Sequence, residues 1–128
     1  MTTAYYEKNY DGELDVSIRS QHPELTELDS VFFQKVVDDI ETLKDKSKNL
    51  MAQYLDLNKP CFDGGPQLFS IEITGVAATV YRVYLEYVFE NDSNVYWSVL
   101  FNVPMLSPPL EKIQQSNYWP IELSWRVE

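Results

Sequence analysis

The chain has 128 residues and a mass of 15.0 kDa, and 45% of its residues are hydrophobic and 14% aromatic, which is enough for one compact domain with its own core. Twenty acidic residues against ten basic ones give a net charge of −10, which argues against a nucleic-acid partner. No stretch approaches the roughly 18 apolar residues of a membrane span, and residues 1–7 lack the basic and apolar parts of a signal peptide, so we expect a cytoplasmic protein without a membrane partner.

A short hairpin is expected at the start of the chain. Apolar and polar residues alternate over positions 14–18, which predicts a β-strand. The turn-forming pair Asp11 and Gly12 precedes this strand. We therefore expect the chain to form a hairpin with an earlier strand that passes through Tyr5 and Tyr6.

The middle of the chain predicts a long amphipathic helix. Apolar residues recur three, four or seven positions apart over residues 27–56, and Thr26 and Asp29 have the spacing of a capping box. An unbroken helix over this range would be about 45 Å long, which is more than a domain of this size needs. Residues 46–49, where the apolar stripe fails, are the candidate position for a bend, and the sequence leaves open whether the helix continues through them.

Beyond residue 67 the apolar period changes from 3.6 to 2. Alternating residues over 69–74, 81–89 and 97–103 predict three consecutive strands, and the run 119–127 predicts a last one. We expect Trp97, Trp119 and Trp125 to lie partly in the core. On this expectation, Trp125→Ala would give mostly insoluble protein.

The hairpin near Asn91 determines which side chains share a face. A loop of three residues, Asp92 to Asn94, would pair Leu85 with Phe101 and place all large odd-numbered side chains on one side of the sheet. This register predicts a positive φ at Asn94. The elements together predict a single α+β domain over residues 1–128, in which a mostly antiparallel sheet of four to six strands has one long helix, straight or bent, packed on one face.

The sequence offers two weak candidates for catalysis. His22 and Cys61 are the single histidine and cysteine, and a nucleophile and base dyad of these residues would still need an orienting group and an oxyanion hole that leave no signature. Glu72 and Glu86 have the right parity to share the outer side of the sheet as acid and base, but such strand residues more often meet a cation such as Arg82. We predict no catalytic residue, no metal and no cofactor.

The side of the sheet turned away from the helix is the stronger candidate for a functional surface. It is expected to carry Val88 and Leu100 together with six residues that we predict to bind a partner, namely Arg82, Tyr84, Glu86, Tyr96, Ser98 and Asn102. Tyrosine and arginine dominate the energetic centres of protein interfaces. Because tyrosine is also a good strand former, an exposed face without a role is the alternative.

Four segments of the chain carry a resemblance to known proteins. They are the charged helix at 32–40, the strand at 69–73, the end of the aromatic hairpin at 95–99 and the last strand at 120–123. In this succession, which extends over roughly residues 13–127, the chain resembles small acidic bacterial domains of unknown function, some of them similar to immunity proteins of polymorphic-toxin systems. The resemblance implies a non-enzymatic protein that neutralises a toxin by covering its active site.

Three hypotheses of function follow. The first is a cytoplasmic binding protein, of the kind an immunity protein represents, that docks a basic protein partner, because an acidic surface raises the rate of association with a basic one. The second is a small hydrolase or ligand-binding enzyme that uses Cys61 and His22, or Glu72 and Glu86. The third is a homodimer formed through an exposed strand edge, without a catalytic site.

Overall fold

The structure, a computed structural model, describes residues 2–77, 80–104 and 118–128 and has the expected α+β architecture. In chain order the elements are β1 (Tyr5–Tyr10), β2 (Leu14–Arg19), α1 (Glu27–Asp38), α2 (Ile40–Tyr54), the turn Pro60–Phe62, β3 (Gln67–Ala77), β4 (Val80–Phe89), β5 (Asp92–Pro104) and β6 (Trp119–Val127).

The six strands form one sheet in which the spatial order is the chain order, from β1 to β6. Every neighbouring pair is antiparallel except β2 and β3, which are parallel. A parallel pair needs a crossover connection, and α1 and α2 supply it. Both helices therefore lie on one side of the sheet, and we call the other side the outer face.

The predicted N-terminal hairpin is confirmed. Strands β1 and β2 pair from Tyr5 opposite Arg19 to Tyr10 opposite Leu14. Asp11 has a φ of 55° and Gly12 a φ of 75°, the left-handed conformation that tight hairpin turns require.

The helical segment is broken, but not where the apolar stripe fails. Asp39, with φ −100° and ψ 14°, separates α1 from α2, and residues 46–49 lie inside a continuous α2. The Ser47 hydroxyl donates a 2.8 Å hydrogen bond to the carbonyl of Leu43 one turn earlier, and Ser47 is fully buried. Its polarity is satisfied within the helix, so it does not interrupt the stripe.

The predicted register of the β4–β5 hairpin is wrong by two residues. Leu85 lies opposite Val99 rather than Phe101, and the chain turns at residues 90–91. Asn94 does not have a positive φ, because it lies within β5 beside an irregularity in the pairing after Val88. Odd positions still face odd positions, so the predicted division of side chains between the two sides of the sheet survives.

The core lies between the sheet and the two helices. Phe32 of α1 stacks on Tyr81 with ring centroids 4.3 Å apart. Leu85 is fully buried and Trp97 is 9% exposed, whereas Tyr84 and Tyr96 are half-buried on the outer face. The fully buried core includes Val16, Ile71, Val83, Val99, Phe101 and Val103 from the sheet and Phe32, Val36, Leu43 and Met51 from the helices.

The last strand corrects the expectation that all three tryptophans lie in the core. Trp119 is 59% exposed and Trp125 is 63% exposed, and only Trp97 is buried. Strand β6 forms an edge of the sheet, and Trp119, Ile121, Trp125 and Val127 remain exposed although α2 contacts this strand. The predicted insolubility of Trp125→Ala, which assumed a buried side chain, loses its basis.

Asp29 fixes the start of α1 to the sheet. It forms the predicted capping box with Thr26 and accepts hydrogen bonds from the hydroxyls of Ser20 and Tyr81. Burial alone would raise the pKa of Asp29, but these hydrogen bonds outweigh it and hold the pKa below its ordinary value. The same burial, with the bond to Asp29, raises the pKa of Tyr81 above its ordinary value.

Asp39 fixes the other end of α1. Its Oδ2 atom accepts a 2.6 Å hydrogen bond from Lys35 and a 2.8 Å bond from the hydroxyl of Tyr118, which precedes β6. Lys35 Nζ also lies 4.7 Å from the centre of the Tyr118 ring, and Lys46 Nζ donates to the Tyr118 carbonyl.

Neither helix in the described residues is both long and apolar enough to cross a membrane.

Candidate protein-binding face

All six predicted partner-binding residues lie together on the outer face. Strand pairing places Arg82 opposite Asn102 and Glu86 opposite Ser98. Tyr84 lies between these two pairs on β4, and Tyr96 lies next to the second pair on β5. All six are half-buried. The alternation of the two central strands is sufficient to bring them to one surface.

The outer face has a half-buried centre and an exposed rim. Its centre, on β4 and β5, consists of the six residues together with Val88 and Leu100. The outer strands add the exposed side chains of Tyr5, Glu7, Asp15, Arg19, Glu72, Trp119, Glu122, Ser124 and Arg126. The centre combines aromatic and apolar side chains with the polar ones of Arg82, Glu86, Ser98 and Asn102, and most of the exposed rim is polar or charged, as is usual at the rim of a protein interface.

One line of residues across the strands is acidic, and we call it the acidic row. It runs from β1 to β6 through Glu7, Ser17, Glu72, Tyr84, Leu100 and Glu122. Neighbouring strands are about 4.8 Å apart, so Glu7 and Glu72 are about 10 Å apart and Glu72 and Glu122 about 14 Å apart. In the described parts of the chain, neither Glu72 nor Glu122 takes part in an ion pair, which leaves both carboxylates available to a cation.

The acidic row is flanked by arginines. Arg126 of β6 forms a 3.1 Å ion pair with Glu86 and lies 5.1 Å from the centre of the Tyr96 ring. Hydrogen bonds with Glu128 and Glu86 raise the pKa of Arg126 above its ordinary value. Glu86 is therefore neutralised within the face, and Arg126 extends the predicted site by one residue. Its even position in the last strand was the sequence signal for it.

Arg82 and Asn102 have hydrogen-bonding capacity that the described residues do not use. The Nε atom of Arg82 and the Oδ1 atom of Asn102 are buried without a partner among those residues. Buried polar atoms are nearly always paired in folded proteins, directly or through water. The cross-strand Arg82 and Asn102 pair is thus the part of the face that gains most from a polar group brought by a partner or by water.

Phe69 belongs to the outer face although its odd position predicts the core. An irregularity in the pairing between Leu68 and Ser70 turns Leu68 toward the core and Phe69 outward. The Phe69 ring contacts Tyr96 edge to face, with centroids 5.5 Å apart. Nothing in the alternation of residues 69–74 signals this β-bulge.

The structure separates His22 from Cys61. His22 lines a cleft of about 30 Å³ beside Gly75 and Tyr81, with room for about two water molecules. Cys61 precedes Phe62, whose ring contacts Phe89 at a centroid distance of 4.7 Å. Tyr81 and Phe89 are at opposite ends of β4, about 27 Å apart at the rise of a strand. The two side chains cannot form a catalytic dyad.

Glu72 and Glu86 do share the outer face, as diagonal neighbours on β3 and β4. Glu72 lies opposite Tyr84, and Glu86 lies opposite Ser70. Glu86 is engaged by Arg126 at 3.1 Å. Within residues 2–77, 80–104 and 118–128, no group of three or more His, Cys, Asp and Glu side chains is close enough together to hold a metal ion.

Comparison with known proteins finds no match for this chain among protein-family models, curated proteins or solved structures.

Proposed function

We propose that the protein is a non-enzymatic binding protein that docks a basic protein partner on its outer face. The observation that carries this proposal is the acidic row across a half-buried centre that contains Tyr84 and Leu100. The exposed carboxylates attract cations, and the aromatic and apolar side chains within the centre supply the area that association removes from water.

The spacing of the exposed carboxylates supports a partner that carries basic side chains at matching distances. Lysine or arginine side chains about 10 Å apart would match Glu7 and Glu72 along the acidic row. The net charge of −10 adds a long-range attraction that is strongest at low salt. A polar group of the partner beside Arg82 would use the hydrogen-bonding capacity that remains there.

An immunity protein is the particular kind of binding protein that we propose. The resemblance of residues 13–127 to small acidic bacterial domains supports it, as does a surface suited to binding a protein rather than transforming a small molecule. In that role the protein acts in the cytoplasm, and the outer face covers the active site of a toxin. The partner is then a protein whose expression alone arrests growth.

The first experiment measures partner capture by the purified protein from a lysate of its source cells at low and high salt. We expect a basic protein to be retained at low salt and released at high salt. Glu7→Lys with Glu72→Lys should abolish its retention, because the double variant reverses two charges of the acidic row. Asp38→Lys with Asp45→Lys is the matched control, since it makes the same change of charge at exposed positions of the helices.

The second experiment tests whether the captured protein is a toxin. Expression of the captured protein should arrest growth, and co-expression of the wild-type chain or of the Asp38 and Asp45 variant should restore it. The Glu7 and Glu72 variant should fail to protect. Equal retention of the partner by both double variants would contradict the outer face as the docking surface, and a harmless partner would contradict the immunity function alone.

A further inference from the structure

The outer edge of β6 has the features of an interface that lacks its second half. Among the described residues, no strand pairs with the side of β6 that faces away from β5. Exposed fractions are 59% for Trp119, 53% for Ile121, 63% for Trp125 and 63% for Val127. An accessible, apolar strand edge readily pairs with another strand, and folded proteins usually protect such edges.

The opposite edge of the sheet is better protected. Strand β1 is only six residues long, and Glu7, Lys8 and Asn9 place charged and polar side chains along it. Short length and charge are the usual ways in which edge strands are kept from pairing. The contrast singles out β6 rather than sheet edges in general.

The backbone of β6 defines which residues can bond a further strand. The N–H of Glu128 donates a 2.9 Å hydrogen bond to the carbonyl of Asn94, so the even-numbered residues at this end bond β5. Alternate residues of an antiparallel strand direct their N–H and C=O groups to opposite sides. Leu123, Trp125 and Val127 therefore present their backbone groups to the free edge.

The charges on β6 match those of a second copy in one register. If two copies pair antiparallel through β6, the odd-numbered residues, whose backbone groups face the free edge, must lie opposite odd-numbered residues of the other copy. With Leu123 on the two-fold axis, Glu122 meets Ser124, and with Trp125 on the axis, Glu122 meets the like charge of Glu128. With Ser124 on the axis, Glu122 of each copy lies opposite Arg126 of the other, which gives two complementary pairs.

We propose that two copies of this chain pair antiparallel through β6, with Ser124 on the two-fold axis, to form a continuous twelve-stranded sheet. The pairing sets Trp125 opposite Leu123 and Ile121 opposite Val127 of the second copy. A standard interface buries about 800 Å² on each partner, and a buried tryptophan alone accounts for roughly 150 to 250 Å². Trp125 of each copy, which is 63% exposed in the single chain, contributes buried area to such an interface.

A cross-linking experiment tests the register directly. In the proposed dimer the two copies of Ser124 face each other as a non-hydrogen-bonded pair, with Cα atoms about 4.5 Å apart, within the range of a disulfide. The two copies of Glu122 are about 13 Å apart, because four residues separate positions 122 and 126 along the strand. We expect Ser124→Cys in a Cys61→Ser background to form disulfide-linked dimers on mild oxidation, at least tenfold more than Glu122→Cys in the same background.

The oligomeric state of the wild-type protein supplies the second measurement. Light scattering on the wild-type protein as it elutes from a size-exclusion column should give a molar mass of twice the 15.0 kDa of one chain. Glu122→Arg should weaken the dimer at least tenfold, because it places like charges opposite Arg126 twice, whereas Glu72→Arg on β3 should leave it intact. Equal cross-linking at positions 122 and 124, or a wild-type monomer at high concentration, would overturn the proposal and leave the β6 edge to a different occupant.

The dimer and the proposed partner are tested by separate residues. Glu7 and Glu72 lie on β1 and β3, away from the proposed two-fold axis. If the variant of Glu7 and Glu72 loses the partner but keeps the dimer, the result concerns only the proposed function. Loss of cross-linking at Ser124 with intact partner capture would affect only the dimer.

Discussion

The hydroxyl of Tyr118 donates a 2.8 Å hydrogen bond to Oδ2 of Asp39, which lies 79 residues earlier at the break between α1 and α2. Tyr81 makes the corresponding contact with Asp29 at the start of α1. One tyrosine and one aspartate thus hold each end of the first helix, and both tyrosines belong to or adjoin the sheet. The position of the helices over the sheet depends on these two contacts as well as on apolar packing.

Removing the Tyr118 hydroxyl should weaken the attachment of the helices. Tyr118→Phe keeps the ring over Lys35 but leaves Asp39 with one donor fewer, and we expect the free energy of unfolding to fall by about 1 to 2 kcal/mol. Urea denaturation followed by circular dichroism measures it. Tyr84→Phe on the outer face is the control, with an expected change within about 0.5 kcal/mol. Equal losses in the two variants would contradict the role of the Asp39 bond.

The contribution of Asp29 to the free energy of unfolding should decrease at acid pH. Its pKa in the folded protein lies below its ordinary value, so its contribution is complete above the pKa of the unfolded chain and is lost as the pH falls through the folded pKa. Asp29→Asn should therefore cost about 1 to 3 kcal/mol at pH 7 and progressively less below about pH 4. Urea midpoints between pH 3 and 7 test this, with Asp45→Asn as the exposed control. A difference that stays constant over this range would refute it.

Three buried tyrosines should make the protein sensitive to alkali. Burial raises the pKa of Tyr87 to about 12, and the pKa values of Tyr81 and Tyr118 are also raised. A raised pKa gives a contribution that is complete below the unfolded value and is lost as the pH rises above it, so stability should decline from about pH 10 upward. Urea midpoints between pH 8 and 11.5 should show less decline for Tyr87→Phe than for the wild type. Tyr54→Phe, at a residue 71% exposed, should follow the wild type.

The tryptophans at paired positions of β5 and β6 should differ sharply in their effect on stability. Trp97→Ala empties a buried site and should cost about 3 to 5 kcal/mol. Trp125→Ala removes a side chain that is 63% exposed and contacts Trp97 at a centroid distance of 6.4 Å, so the loss should be about 1 kcal/mol with the protein still soluble. Thermal unfolding of the two variants measures the difference. The measurement is made in the Glu122→Arg background, in which the proposed β6 pairing is weakened and Trp125 is exposed as in a single chain, and comparable losses there would contradict the exposed position of Trp125.

The sequence alone correctly predicts which side chains of the central strands lie on each side of the sheet. The two-residue period does not depend on loop length as long as parity is kept, so Leu85 and Trp97 are inside despite the wrong hairpin register. The capping box of Thr26 and Asp29 was also visible, because its partners are three residues apart. These features are local in the chain.

The features that the sequence did not reveal depend on specific contacts that residue types alone do not show, several of them with partners distant in the chain. Asp39 ends α1 where Tyr118 and Lys35 meet it, and no local signal marks that position. Ser47 seemed to interrupt the helix because its bond to Leu43 cannot be seen in a list of residue types. Trp119 and Trp125 lie on an edge strand of the sheet, and alternation alone does not disclose that their side chains remain exposed there. The candidate site was predicted on the central strands, whereas Arg126 and Phe69 became evident only with the pairing of β6 and the bulge in β3.

The chain order of the strands has a consequence for how fast this protein can assemble. Adjacent strands such as β1 and β2 or β4 and β5 are joined by tight turns and can pair soon after collapse, since closing a short loop takes well under a microsecond. Both helices lie between β2 and β3 in the chain, so the parallel pairing of these strands closes the longest connection in the sheet. This pairing therefore has the largest entropic cost of loop closure. The slow step of folding should therefore be the docking of the N-terminal hairpin onto an already formed meander, which places Val16 and Ile71 at the last contact to form.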